Sequence, residues 1–112
     1  MVNSFDFNDQ QIEVDAKGYL KNYTDWKIEM APILAATEDI VLTEQHWEVI
    51  NFVRHFYLEY KTSPAIRVLV KAIGQALGPD KGNSKYLYTL FPVGAAKQAT
   101  KIAGLPKPAK CI

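Results

Sequence analysis

Proline and glycine interrupt this chain at intervals that leave room for modest helices and little else. Pro32, Pro64, Pro79, Pro92, Pro106 and Pro108 each remove a backbone donor and push the preceding residue toward extended geometry. Between the breaks, apolar residues recur at helical spacing. Thr24 or Asp25 opens a helix to about Glu38 that Pro32 kinks or delays. Thr43 is placed to N-cap the next, with Glu44 at the positive end of its dipole. That helix runs to about Lys61 with one apolar row at Trp47, Ile50, Val53, Tyr57 and Tyr60 and a second at Val49, Phe52 and Phe56, so much of its circumference is buried. Ser63 and Pro64 restart the chain as cap and first helical residue. Ile66, Leu69, Val70, Ile73, Ala76 and Leu77 form the stripe that follows. After the break at Gly78-Pro-Asp-Lys-Gly82, Asn83 or Ser84 caps a short aromatic helix, Tyr86 to Phe91. Pro92-Val-Gly94 turns into a last helix, Ala95 to Ala103.

The first twenty residues follow a different period. Apolar residues alternate in Ser4-Phe-Asp-Phe7 and Gln11-Ile-Glu-Val14, separated by Asn8-Asp9-Gln10 and followed by Asp15-Ala-Lys-Gly18 and Tyr19-Leu20. Alternation with Asn/Asp/Gly turns predicts a β-meander whose inner face is Phe5, Phe7, Ile12 and Val14. A hairpin alone is marginal and must lean on helices. The fold class is therefore α+β, a small N-terminal β-meander packed on an array of about five helices. At 112 residues one core suffices, and residues 1–104 form a single domain with residues 105–112 as a flexible C-terminal arm.

That arm carries the only cysteine, Cys111. Gly104 is suited to close a helix through a left-handed backbone, and Pro106 and Pro108 forbid a new one. Proline at alternate positions makes a semi-rigid spacer of ~3.1 Å per residue, so the thiol reaches up to ~22 Å from Gly104. Amides at Leu105, Lys107, Ala109 and Cys111 are expected to exchange freely. A thiol between two prolines and the chain end is badly placed for burial, which sets it apart from an inert core cysteine. Lys107 and Lys110 would favour its thiolate and the Ile112 carboxylate would oppose them. One residue after the cysteine, rather than three, excludes prenylation.

Charge is divided unevenly along the chain. Residues 1–80 hold seven Lys/Arg against twelve Asp/Glu, whereas residues 81–112 hold six lysines and no acid. Lys101, Lys107 and Lys110 are thus candidates for steering an anion or an acidic partner to the thiol. A lone cysteine, no basic leader and no long apolar run point to a reducing, cytoplasmic setting without a membrane span. His46 and His55, nine residues apart on one helix, face opposite ways and do not make a metal site. Gly74, Gly78 and Gly82 lack a phosphate-loop pattern, and no cofactor is implied. The helices flanking Thr62-Ser-Pro64 form a helix-turn-helix arrangement, an alternative reading as a non-catalytic protein- or DNA-binding module. Its second helix offers only Arg67, Lys71 and Gln75 to bases or phosphates, and an acidic front half disfavours DNA.

Four stretches together resemble the DsrC/TusE family of sulfur-relay proteins: His46-Trp-Glu-Val-Ile-Asn-Phe52, Thr62-Ser-Pro-Ala-Ile-Arg67, Gly82-Asn-Ser-Lys-Tyr-Leu-Tyr88 through Phe91-Pro92, and the tail from Ala103 to Ile112. The resemblance spans the chain from about Ile12 and is most specific in the tail. It implies a small cytoplasmic protein whose arm carries sulfur as a persulfide on Cys111. Members associated with sulfite reductase have a second cysteine at the position of Thr100. Without a thiol there, Cys111 cannot close an intramolecular disulfide or trisulfide. The pattern is similar to the single-cysteine TusE branch, which takes sulfur from a TusBCD-type complex and passes it to the tRNA-uridine 2-thiolase. Arm lysines would then lie near bound tRNA. The alternative within the family is a gamma-like partner of a dissimilatory-type sulfite reductase.

Overall fold

A computed structural model describes residues 3–106, with the side chains of Asn3 and Phe5 excepted. Two antiparallel strands, β1 (Asn3–Phe7) and β2 (Gln10–Val14), are followed by five helices: α1 (Met30–Ala36), α2 (Glu44–Tyr60), α3 (Ile66–Leu77), α4 (Ser84–Leu90) and α5 (Ala95–Ile102). The strands pair in the register Asn3↔Val14 to Phe7↔Gln10. Asn8 and Asp9 both take positive φ, 49° and 67°, the handedness that matches strand twist in a two-residue hairpin turn. Phe7, Ile12 and Val14 are buried; the side chain of Phe5, expected on the same face, lies outside the described residues. The third strand of the expected meander shrinks to one bridge, Val14↔Leu20.

The helix expected from Thr24 instead begins at Met30. Asn22 caps a single 3-10 turn, Tyr23–Asp25, by accepting from the Thr24 N–H, and extended Trp26 ends it. Pro32 is then the third residue of α1, in the first turn, where a missing N–H costs no intrahelical bond. Thr43 caps α2 as expected, with an unexpected reciprocal partner in His46. Ser63 does not cap α3. The chain stays extended through Ala65, which occupies the cap position without a side-chain bond. Ser63 is buried two residues earlier, with no partner for its Oγ among the described residues. The acceptor is too far upstream to reach the helix N–H groups. Asn83 caps α4, accepting from Lys85 and Tyr86 N–H.

Burial on α2 is narrower than its apolar pattern implies. Val49, Ile50 and Val53 are buried, whereas Tyr60 is exposed. Phe52 and Phe56 of the second row join Tyr60 of the first in a part-exposed aromatic ladder, with ring centroids 6.5 and 4.6 Å apart. On α3, Leu69 and Ile73 are fully buried while Leu77 emerges at the surface. The loop after α3 folds back so tightly that a Cβ on Gly82 would overlap the backbone of Gly74, a close approach that only glycine permits.

Helix α5 is the hub. It packs against α1, α2, α3 and α4, and Ala95, Ala96, Gln98, Ala99, Thr100 and Ile102 are all buried. Alanines on several sides let four helices approach one short segment closely. No helix among the described residues is long and apolar enough to cross a membrane.

Candidate functional site

Whatever the tail does, its placement depends on how α5 ends. A helix leaves its last carbonyls without intrahelical partners, and burial makes that costly. Here each finds a donor. Leu105 N–H donates to Thr100 O at 3.1 Å and Gly104 N–H to Lys101 O at 3.1 Å, the paired bonds of a Schellman motif. Gly104 has φ +70°, the left-handed conformation that this motif requires. The Trp26 indole Nε1–H donates to Ile102 O at 3.0 Å. Arg54 Nη1 donates to Ala103 O at 2.6 Å.

These donors form a stacked unit. The Arg54 guanidinium lies 4.2 Å from the centre of the Trp26 ring, within cation–π range. A Cβ on Gly104 would overlap the indole, so glycine serves both backbone conformation and packing. Tyr23 and Tyr57 meet edge to face at 5.1 Å beside them. Arg54 is half-buried, and that burial pulls its pKa below the usual arginine value, with Tyr23 partly offsetting. It remains charged at neutral pH, and a cation at a helix C-terminus is favourable.

The described fold continues through Leu105. Leu105, assigned to the arm from the sequence, is fully buried and its amide is hydrogen-bonded, which predicts slow exchange at that amide. Its side chain belongs to the hydrophobic core. Thr100 is also fully buried, its Oγ1 without a partner among the described residues.

The lysines separate into two groups. Lys101, one of the expected steering residues, has a partner within the fold. Its Nζ lies 3.2 Å from Glu38 Oε2 with the side chain largely buried. Gln98 completes that network, accepting from Val93 N–H and donating to Glu38 Oε1. Lys81 pairs with Glu48 at 2.6 Å, in an open cleft also lined by Glu44, Gln45, Asp80 and Tyr86, where carboxylates outnumber the ammonium. Lys85 and Lys97 are exposed. Cys111, Lys107 and Lys110 lie outside the described residues.

Sequence reasoning missed Trp26, Arg54, His46 and Gln98. His46 Nδ1 accepts from Thr43 N–H at 3.0 Å and its Nε2 meets Leu90 O at 2.8 Å. That pattern assigns the proton to Nε2. Both ring nitrogens are thus engaged by the protein. His55 is exposed. The available signal was a buried-looking first-turn histidine three residues after a Thr cap, the spacing of a capping box.

Comparison with known proteins agrees with this architecture. The family described as "DsrC like protein" matches residues 6–112. The chain is 67% identical over 106 residues to "Sulfurtransferase TusE" of Photorhabdus laumondii, covering 95% of this chain and 96% of the relative. It is 65% identical to the protein of that name from Yersinia pseudotuberculosis over 107 residues, covering 96% and 99%. Among solved structures, Allochromatium vinosum DsrC superposes with a TM-score of 0.89 at 51% identity, covering all of both chains. The oxidised gamma-subunit of dissimilatory sulfite reductase from Archaeoglobus fulgidus gives 0.83 at 36% identity, covering 98% of this chain and 100% of that one.

Proposed function

Since this chain belongs to the family of DsrC-like proteins, we propose that it is a sulfur carrier of the sulfurtransferase type, accepting sulfur on Cys111 and relaying it toward tRNA 2-thiouridine formation. The observation that carries this reading is near-full-length identity of 67% and 65% to sulfurtransferases, in a chain whose single thiol is Cys111. The sulfite-reductase-partner reading is disfavoured by Thr100, a side chain that forms no disulfide. The donor is a TusBCD-type complex and the acceptor a tRNA-uridine 2-thiolase.

The chemistry is two displacements at sulfur. The Cys111 thiolate attacks the outer sulfur of a donor persulfide; a new S–S bond forms at Cys111, and the donor's S–S bond breaks to release its thiolate. The acceptor's thiolate then attacks the outer sulfur on Cys111, which leaves as thiolate. One sulfur atom moves and no external oxidant or reductant is consumed. Both steps require a reachable, ionisable thiol rather than a pocket, which is what an arm beyond a firmly anchored Leu105 would supply. Lys107 and Lys110 act there by favouring the anion.

The test is intact mass spectrometry after incubation with a cysteine desulfurase and the donor complex. An adduct of about +32 Da, one sulfur atom, should form on the wild type. It should be absent from Cys111→Ser, whose thermal midpoint should be unchanged. Wild-type levels of 2-thiouridine in a cell relying on Cys111→Ser would refute the assignment.

A further inference from the structure

The end of α5 is held more tightly than its own length explains. An eight-residue helix would normally fray at its last turn. Here Trp26 and Arg54 each deliver a donor to a terminal carbonyl, from positions 76 and 49 residues distant in sequence. Arg54 makes no salt bridge to a carboxylate among the described residues; it bonds to the Ala103 carbonyl and lies over the Trp26 ring. A half-buried guanidinium stacked on an indole and aimed at a helix terminus is a costly arrangement unless the terminus must be held.

We propose that Trp26 and Arg54 are positioning residues for sulfur transfer, forming a clamp that fixes the point at which the thiol-bearing segment departs from the domain. The inference rests on the carrier reading and adds where the carrier's reach is set. Six residues of sequence lead from Leu105 to Cys111, which as a tether would reach up to ~19 Å at ~3.1 Å per residue. Were the last turn to open as far as Thr100, the tether would be eleven residues. The volume that a tethered group samples grows between the 3/2 power of tether length for a flexible chain and the cube for a stiff one. Releasing the clamp would therefore dilute the thiol roughly two- to sixfold at the active site of a docked partner. That loss falls on the step inside the complex, so kcat drops while KM is unchanged. The thiol's own chemistry is unaffected.

The experiment compares wild type with Arg54→Met, Trp26→Phe, Arg54→Lys and a chain with five Gly/Ser residues inserted between Pro106 and Lys107. The insertion lengthens the tether to eleven residues without touching a core residue, and it tests the proposal even if a clamp variant fails to fold. Transfer is followed from a TusBCD-type donor carrying radiolabelled persulfide sulfur, and Cys111 alkylation by iodoacetamide is measured alongside. The insertion should lower kcat roughly two- to sixfold at constant KM. Arg54→Met and Trp26→Phe should fall in the same direction, and Arg54→Lys should recover toward wild type. Alkylation should stay within about twofold throughout.

An insertion without effect on kcat, or alkylation falling in parallel with transfer, would overturn the proposal. A wild type that takes up no label refutes the carrier reading rather than the clamp. The clamp is then decided by a nitroxide on Cys111. Line broadening confined to one side of the domain in wild type and spread in Arg54→Met supports it; identical patterns overturn it.

Discussion

Replacing Gly104 by alanine tests the helix ending at its most constrained atom. Three costs converge there. An L-residue at φ +70° pays about 1–2 kcal/mol for the left-handed conformation. The new methyl overlaps the Trp26 indole, and a ring displaced from its place loses the bond to Ile102 O, about 1 kcal/mol. It also loses the stacked Arg54, about 0.5–1 kcal/mol. The expected destabilisation is about 3 kcal/mol, a large fraction of the ~5–15 kcal/mol that holds a typical domain. With a urea m-value of about 1.5 kcal/mol/M, the midpoint falls by about 2 M. The control is a double-mutant cycle. In a Trp26→Ala background the overlap is gone, so Gly104→Ala should cost only the backbone strain, about 1–2 kcal/mol. An equal cost in both backgrounds would refute the packing argument, and a cost below about 0.5 kcal/mol in the wild-type background would refute the helix-ending argument altogether.

Other outcomes follow from the same structure. The Leu105 amide, bonded to Thr100 O, should exchange as slowly as the interior of α5; exchange near the unprotected rate would mean that the arm starts before it. His46→Ala removes the reciprocal cap of α2 and the link to Leu90 O, leaving buried polar groups unpaired. A loss of about 2–3 kcal/mol by denaturant unfolding is expected, with the first turn of α2 exchanging faster. The hydrogen bond to Glu48 raises Lys81 above its ordinary value of 10.5, so the bridge's contribution is fully present below that pH. It fades as pH rises through the higher folded value. Thermal midpoints of wild type and Lys81→Met should accordingly differ by a constant amount from pH 6 to 9 and converge in more alkaline solution.

The signals that sequence carried were those satisfied within a few residues. Thr43 and Asn83 lie beside the N–H groups that they cap, and the Asn8-Asp9 turn closes on its own strands. Such bonds form whatever the rest of the chain does, so residue type and spacing announce them. Gly104 was legible as a helix stop for the same local reason. The lone cysteine, Cys111, was read from residue type and position alone, and it lies outside the described residues.

Tertiary structure decided what depended on distant partners. Ser63 had the composition of a cap, but burial carried it into the interior ahead of the helix. Lys101 looked free until Glu38 was brought to it across 63 residues, and Leu105 looked like tail until the core closed over it. The largest omission was the pair Trp26 and Arg54. Neither lies in a motif, because the groups they serve are backbone carbonyls at the end of another helix, and every residue has a carbonyl. Sequence alone thus determined that a helix would stop at Gly104, seven residues before the chain's one thiol. Only packing could decide where that end is held, because an acceptor common to all residues leaves no mark in side-chain identity.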